Sequence, residues 1–171
     1  MSNQNKTIVQ IGNPILRLES KPVKNIESEK VKDLIKNMTN QMRTNDLIGI
    51  TAPQVEVNLR LFITEIRATA LRKNLKDTHG LRVYINPKLG FSVKKKSVLY
   101  EGCGSLVNAQ LFGPVRRPKT VTTEALDEHS NRFNFKADGL LARCIQHEHD
   151  HVEGILCIDK FLDLRKIGSV T

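Results

Sequence analysis

The chain has 171 residues, of which 39% are hydrophobic and 26% are charged. This length is enough for one domain with a hydrophobic core, so we predict a single domain over residues 1–171. No apolar run approaches the ~20 residues needed to span a membrane. The first ten residues also lack the apolar segment of a signal peptide. We therefore expect a cytoplasmic protein without a membrane partner.

The formal net charge is +9 at neutral pH, which favours contact with nucleic acid or the ribosome surface. The alternative is a solvated, lysine-rich surface. The lysines are scattered, tryptophan is absent, and the lysine run at residues 94–96 is too short for a nucleic-acid motif. We expect no specific nucleic-acid partner, while a transient contact with the ribosome stays open.

Three cysteines are present, Cys103, Cys144 and Cys157. An odd number of cysteines in a cytoplasmic chain argues against a disulfide framework. Each of them is therefore a packing residue, a metal ligand or a nucleophile.

The first half of the chain predicts one helix and several strands. Residues 27–44 carry apolar side chains at helical spacing, with lysine and asparagine on the other face, which predicts an amphipathic helix. Residues 59–66 alternate and predict a strand, whereas the polar residues 67–80 predict a loop. Residues 83–85, which end at an Asn-Pro pair, and residues 91–101 predict two further strands.

The second half predicts a hairpin followed by a helix. Residues 120–126 and 132–137 are β-rich and flank a polar turn. Asp138 is placed to cap a helix that runs to His151, and Gly154 follows where such a helix would stop. The predicted class is α+β, with antiparallel or mixed β-sheets packed around this central helix, plus the N-terminal amphipathic helix.

Residues 146–151, QHEHDH, contain an HExxH pattern on the central helix. His147 and His151 share one helix face with Cβ atoms about 5–6 Å apart, so they can bind one ion. Glu148 lies beside the first ligand, where it can take a proton from metal-bound water. The alternative is a polar surface helix, but residues 140–145 are too apolar for an exposed one. The pattern indicates a metal-dependent hydrolase.

A catalytic site of this kind needs a third ligand, and two cysteines are candidates. Cys157 completes a pattern similar to that of metzincin proteases, HExxHxxGxxC. That family also needs a methionine downstream, and the three methionines here all lie upstream. Cys103 lies between two glycines that let the backbone approach an ion closely, and it is the favoured ligand.

Three segments, in order, resemble the motifs of peptide deformylases. Residues 47–54, LIGITAPQ, are similar to the first motif, and residues 101–105, EGCGS, to the second. Residues 146–151 match the third motif in full. A weaker similarity extends over residues 8–162. One HExxH pattern is weak evidence, but three ordered motifs are specific.

The resemblance implies an enzyme that removes the N-formyl group from formyl-methionine on new polypeptides. The formyl-methionyl nascent peptide would then be its partner. Cys103, His147 and His151 would bind one divalent ion, Fe²⁺ in the first place, with Zn²⁺ or Ni²⁺ able to replace it. The mixed cysteine and histidine set does not choose between these ions.

The resemblance also implies the catalytic groups. Glu148 would act as general base and acid on a metal-bound water. The side chain of Gln54 and the backbone N–H of Gly104 would polarise the formyl oxygen, and one such donor can contribute roughly 3–4 kcal/mol.

Substrate contacts are expected from two segments. The backbone of Ile48, Gly49 and Ile50 can pair with an extended peptide. The side chains of Leu140 and Cys144 could receive the methionine side chain.

Three residues are expected to hold the metal ligands in position without binding the ion themselves, namely Glu101, Arg117 and Gln146. We predict that Glu101 pairs with an arginine, and Arg117 is the first choice. The alternative is that both are surface charges of little energetic weight.

The chain departs from the family pattern at three positions. Leu47 stands where the family usually has a glycine, Thr51 replaces an alanine, and Gly104 replaces a leucine. These changes bear on substrate preference more than on metal binding. Two alternative functions stay open. One is an HExxH peptidase or a hydrolase of other N-acyl groups, and the other is a non-enzymatic, metal-stabilised RNA- or ribosome-binding protein.

Overall fold

The computed structural model describes residues 8–91, 95–107 and 111–168. Its two α-helices and seven strands are α1 (Glu29–Thr44), β1 (Gly49–Thr51), β2 (Leu61–Ile66), β3 (His79–Phe91), β4 (Lys96–Glu101), β5 (Gly113–Pro118), β6 (Thr120–Leu126), β7 (Arg132–Asp138) and α2 (Gly139–Val152). Across these residues, neither helix combines the length and the apolar character needed to cross a bilayer.

Two antiparallel sheets carry the fold. One has five strands in the order β1-β2-β3-β6-β7, and the other pairs β4 with β5. The predicted hairpin is confirmed, since Leu126 pairs with Arg132 next to the turn. The α+β prediction is confirmed as well, because the antiparallel sheets pack with the two helices.

The alternation of β2 places the two helices on opposite faces of the large sheet. Leu61 and Ile63 pack into a cluster with the apolar face of α1, which includes Met38 and Met42. Phe62 belongs to the other cluster, with Ala142, Ile145 and other residues of α2. Because successive side chains of a strand point to opposite faces, one apolar strand serves both cores. The central strands are therefore buried, and α2 is held firmly against the sheet.

The strand predicted to end before Asn86 and Pro87 in fact continues, so its predicted end was wrong. Strand β3 runs through both residues to Phe91, with a register shift between Ile85 and Lys88. Asn86 has a φ of 51°, and its side chain exchanges two hydrogen bonds with the backbone of Val23. A bulge of this kind tolerates a proline, because its missing N–H is not needed by the ladder.

Two strands were not predicted, β1 and β5. Strand β1 has three residues, which is too short for a pattern of period two. Strand β5 contains Pro114 and Pro118, which argue against a strand, but it has a single partner strand, β4. The strand predicted over residues 91–101 is described as β4 from Lys96 onward; Phe91 instead ends β3, and residues 92–94 lie outside the described residues.

The predicted helices agree closely with the observed ones. Helix α1 begins two residues later than predicted, after Ser28, and ends at the predicted residue. Asp138 precedes α2 at the N-cap position, although its side chain makes no capping hydrogen bond there. The segment predicted as a loop is irregular up to the start of β3, with one isolated bridge between Thr69 and Arg72.

Candidate active site

Two elements bring three potential metal ligands together. Cys103 follows the end of β4, while His147 and His151 lie one turn apart on α2. Their ligand atoms all lie within 4.8 Å of one another, and Cys103 Sγ is 3.1 Å from His151 Nε2. Helix geometry alone aligns the two imidazoles, whose ring centroids are 5.2 Å apart. The thiol reaches them only through the packing of the small sheet on α2.

The electrostatics of this cluster favour a thiolate. Burial acts to raise the pKa of Cys103, but the imidazoles of His151 and His147 hold that pKa well below its usual value. Burial likewise acts to lower the pKa of His147, yet hydrogen bonds to Cys103 and Glu101 raise it well above normal. The thiolate is the form of cysteine that binds metals. One thiolate and two imidazoles are a suitable donor set for a divalent transition metal with an open position.

Glu101 and Arg117 form a buried ion pair behind the cluster. Arg117 donates from Nε to Glu101 Oε1 over 2.7 Å and from Nη2 to Oε2 over 2.8 Å. Its Nη1 donates to Asp150 Oδ2 over 2.7 Å. Burial acts to raise the pKa of Glu101, but His147 and Arg117 lower it, so this carboxylate stays charged. Its Oε2 lies 3.1 Å from His147 Nδ1, which orients the ring and leaves Nε2 for an ion.

Two further cations extend this network, and sequence reasoning missed both. Arg143 donates a hydrogen bond from Nη1 to Glu101 Oε1, and it also donates from Nη2 to the Ser97 carbonyl over 3.1 Å. Lys160 donates to Asp150 Oδ1 over 2.6 Å. The spacing contained a signal for the arginine, because residue 143 lies one turn before His147 on the same helix face.

Glu148 is buried beside the ligands. Burial raises the pKa of its carboxyl to about 7, although His147 and His151 act in the opposite direction. Its Oε2 has no hydrogen-bond partner among the residues that the structure describes. A buried carboxyl with a free oxygen and a pKa near neutrality can exchange protons with a substrate or a water.

Gly49 leaves the space that Glu148 occupies. A Cβ at position 49 would lie 2.5 Å from Glu148 Oε1 and 2.7 Å from Cys144 Sγ. Such distances are far below a van der Waals contact, so any side chain here would displace the carboxyl.

We expect Gly49→Ala to lower kcat/KM for a formyl-Met peptide, the substrate that the sequence resemblance implies, roughly 10- to 100-fold, because overpacking shifts Glu148. Steady-state kinetics measures this change. The matched control is Gly90→Ala, also in a strand, where the nearest atom to a new Cβ is 3.8 Å away. Equal effects of the two substitutions would contradict the close-approach explanation.

Gln54 and Gly104 lie next to Cys103. The Gln54 side chain is held at both ends: its Oε1 accepts from the Thr51 N–H over 2.9 Å, and its Nε2 donates to Ser105 Oγ over 3.1 Å. The same Nε2 is 3.7 Å from Cys103 Sγ. The Gly104 N–H meets no acceptor within the described parts of the chain, while its carbonyl accepts from Gln10 Nε2. Both predicted donors therefore border the ligand cluster.

A cavity of about 250 Å³ opens onto this cluster. It is lined by four of the five residues predicted to contact substrate, Ile48, Gly49, Leu140 and Cys144. Ile50 is instead fully buried in the cluster that packs on α1, so its side chain does not reach the cavity. The Ile48 carbonyl is already used, because it accepts from the Glu65 N–H over 2.9 Å.

Besides Arg143, four further lining residues were not predicted, namely Arg72, Leu99, Tyr100 and Phe112. Arg72 comes from the polar loop before β3, and the two residues of β4 are more than half exposed. No local pattern marks them, since their position depends on how separate strands and loops pack.

The other predicted or considered residues lie near the site in different roles. The side chain of Gln146 donates from Nε2 to the Pro118 and Ala142 carbonyls, which ties α2 to β5. Within the described residues it makes no hydrogen bond to the three ligand side chains. Cys157 is buried, and burial raises the pKa of its thiol to about 12. His149 points away from the cluster toward Arg60 and Glu153.

The sequence profile of the polypeptide deformylase family matches residues 5–166. This chain belongs to that family. Peptide deformylase 2 of Clostridium perfringens is 36% identical over 162 residues, which cover 95% of this chain and 96% of the relative. A peptide deformylase of Treponema pallidum is 34% identical over 91% of this chain and 88% of its own.

Solved structures of the family are similar as well. A class I type b peptide deformylase from Acinetobacter baumannii, bound to Met-Ala-Ser, has a TM-score of 0.83 at 29% identity, covering 90% of this chain and 96% of its own. The Synechococcus elongatus enzyme in complex with actinonin has a TM-score of 0.80 at 32% identity, covering 93% of this chain and 80% of its own. Fold and family thus agree.

Proposed function

We propose that the chain removes the formyl group from formyl-methionine at the N terminus of new polypeptides, with Cys103, His147, His151 and Glu148 at the centre. Deformylation of nascent peptides is the activity of the family, and the enzyme is an amidohydrolase. The single observation that carries the residue assignment is the convergence of a thiol and two imidazoles within 4.8 Å, beside a buried carboxyl.

One divalent ion would be held by the Cys103 thiolate and the imidazoles of His147 and His151. Bound there, it would supply Lewis acidity and a water of lowered pKa. We propose Fe²⁺ as the native ion, with Zn²⁺ or Ni²⁺ able to occupy the site; one thiolate and two imidazoles suit each of them. Glu101, held by Arg117, keeps the ring of His147 in its binding orientation.

The chain's own groups then perform the proton transfers. Glu148 accepts a proton from the water that attacks the formyl carbon, and it donates that proton to the leaving amine nitrogen. Its free Oε2 and its raised pKa support both roles. The Gln54 amide and the Gly104 N–H donate hydrogen bonds to the oxygen that becomes negative during the attack. The products are formate and a free amino terminus.

The peptide would lie along the edge of β1, which has a partner strand on one side only. Of the three residues predicted to pair with the peptide, Gly49 would bind it by strand addition, because the Ile48 carbonyl already accepts from the Glu65 N–H and Ile50 pairs with Ile63 of β2. The methionine side chain would enter the cavity beside Leu140 and Cys144. That a relative of this family was solved with Met-Ala-Ser bound supports a peptide as the ligand.

The decisive experiment measures formate release from a formyl-Met tripeptide by protein purified without oxygen and analysed for metal. We expect turnover that is lost with a chelator and returns with Fe²⁺. Protein at full metal occupancy without turnover would refute the function. Cleavage of internal peptide bonds, or of acetyl-Met peptides, would instead support the alternative function, an HExxH peptidase or a hydrolase of other N-acyl groups.

We also propose three properties that rest on the sequence. The catalytic domain comprises residues 1–171, the location is the cytoplasm, and contact with the ribosome is transient. The net charge of +9 supports the last of these. Salt-dependent cosedimentation with ribosomes tests it.

A further inference from the structure

We propose that Leu47 determines the size of the first substrate side chain, because Leu47 and Gly104 share the volume of one side chain at the wall of the cleft. This inference rests on the proposed deformylase function. It goes further by naming the residue that limits the size of the first side chain of a formyl peptide.

The close approach of the two residues is the first observation. A Cβ at position 104 would lie 2.8 Å from Leu47 Cδ1 and 3.5 Å from Leu47 Cδ2. Gly104 is not among the glycines with positive φ, so its backbone would accept other residues. Space, and not conformation, therefore favours glycine there as long as the Leu47 side chain keeps its place. A larger side chain at position 104 would compete with Leu47 for the same volume.

The position of Leu47 between two cavities is the second observation. It lines the cavity of about 250 Å³ that contains Glu148 and His147. It also lines a neighbouring cavity of about 300 Å³ that is bordered by Leu71 and Leu106. Six residues line both cavities, namely Leu47, Arg72, Gly102, Cys103, Gly104 and Phe112, so the leucine belongs to the wall where the two spaces meet. Shortening it would enlarge the space next to the reacting groups.

Hydrogen bonds hold the backbone of Leu47 in place, and this limits the positions that its side chain can reach. Its N–H donates to the Met42 carbonyl at the end of α1 over 2.9 Å. Its carbonyl accepts from Arg67 Nη2 over 3.0 Å. With both backbone groups bonded, the side chain cannot move away without rotating into one of the cavities or into the core. The wall it forms is therefore a defined limit for a substrate side chain.

The test is a double-mutant cycle with Leu47→Ala, Gly104→Leu and the double variant. Each protein is assayed on formyl-Met and formyl-Phe tripeptides, and its thermal midpoint is measured. We expect Leu47→Ala to raise the ratio of kcat/KM for formyl-Phe over formyl-Met about tenfold, since added room favours the larger side chain. Gly104→Leu alone should lower kcat/KM for formyl-Met about tenfold or more through crowding, although it keeps the backbone donor.

The double variant gives the sharpest result. We expect its kcat/KM for formyl-Met to return to within about threefold of Leu47→Ala, and its thermal midpoint to recover likewise, because the new leucine fills the vacated volume. Single effects that simply multiply, with no recovery of the midpoint, would overturn the shared volume. A formyl-Phe to formyl-Met ratio unchanged in Leu47→Ala would overturn the specificity role.

A matched control is Leu164→Ala, at an exposed leucine that lines neither cavity. We expect it to leave the substrate ratio unchanged. Failure of this inference is distinguishable from failure of the proposed function. An inactive, metal-loaded wild type would refute deformylation, whereas the thermal midpoints of the cycle would still decide whether the two positions share one volume.

Discussion

Replacing Glu148 by glutamine is expected to lower kcat/KM for a formyl-Met peptide by a factor of about 10² to 10⁴, because a positioned general acid–base group contributes that much. The amide has nearly the same shape and keeps the packing against Gly49, but it cannot accept the proton of the attacking water. Steady-state formate release measures the loss. Metal analysis of the same preparation is expected to find unchanged occupancy, since Glu148 is not among the three clustered ligands.

The control for this change is Glu19→Gln, at an exposed glutamate outside the cavity. It removes the same charge, so an effect of net charge would appear in both proteins. We expect wild-type kinetics from the control. Retention of full activity in Glu148→Gln with the metal in place would remove Glu148 from the proton-transfer role.

Replacing Arg117 by methionine is expected to destabilise the protein by about 3 kcal/mol, because it leaves the buried carboxylates of Glu101 and Asp150 without their shared partner. The loss stays at the lower end of the usual range, since Arg143 and Lys160 still contact these carboxylates. For a chain of this size, the thermal midpoint should fall by roughly 6–12 °C. Metal affinity should also fall, by roughly tenfold or more, because Glu101 no longer orients His147 firmly.

The matched control is Arg165→Met, whose ion pair with Asp163 lies at the surface with the arginine side chain 90% exposed. Exposed pairs contribute little, so its midpoint should change by less than about 2 °C. Calorimetry on metal-free protein measures the change in folding stability separately from the change in metal affinity. Similar midpoints for the two variants would mean that the buried network contributes no more than a surface pair.

The sequence was sufficient for features that depend on neighbours along the chain. The helical spacing of α1, the β6–β7 hairpin and the positions of His147, Glu148 and His151 on one helix all follow from local periodicity, because a helix or strand repeats within a few residues. The three ordered motifs added the family, which the profile match over residues 5–166 shows.

Features that depend on distant contacts required the tertiary structure. The predicted end of β3 was wrong because the side chain of Asn86 forms its hydrogen bonds with Val23, which is 63 residues away in the sequence. The burial of Ile50, the partners of Gln146 and the place of Arg143 in the Glu101 network arise from packing between elements, to which no single segment contributes a readable pattern.

Leu47 and Gly104 illustrate the division most directly. The motifs alone indicate that both positions depart from the family pattern, one gaining a leucine and the other losing one. Only the folded chain decided that the two departures meet, with 2.8 Å between the leucine and the place of the missing Cβ. The physical reason is that side-chain volume is shared in space among residues that are 57 positions apart in the sequence, and close packing couples them wherever the fold brings them together.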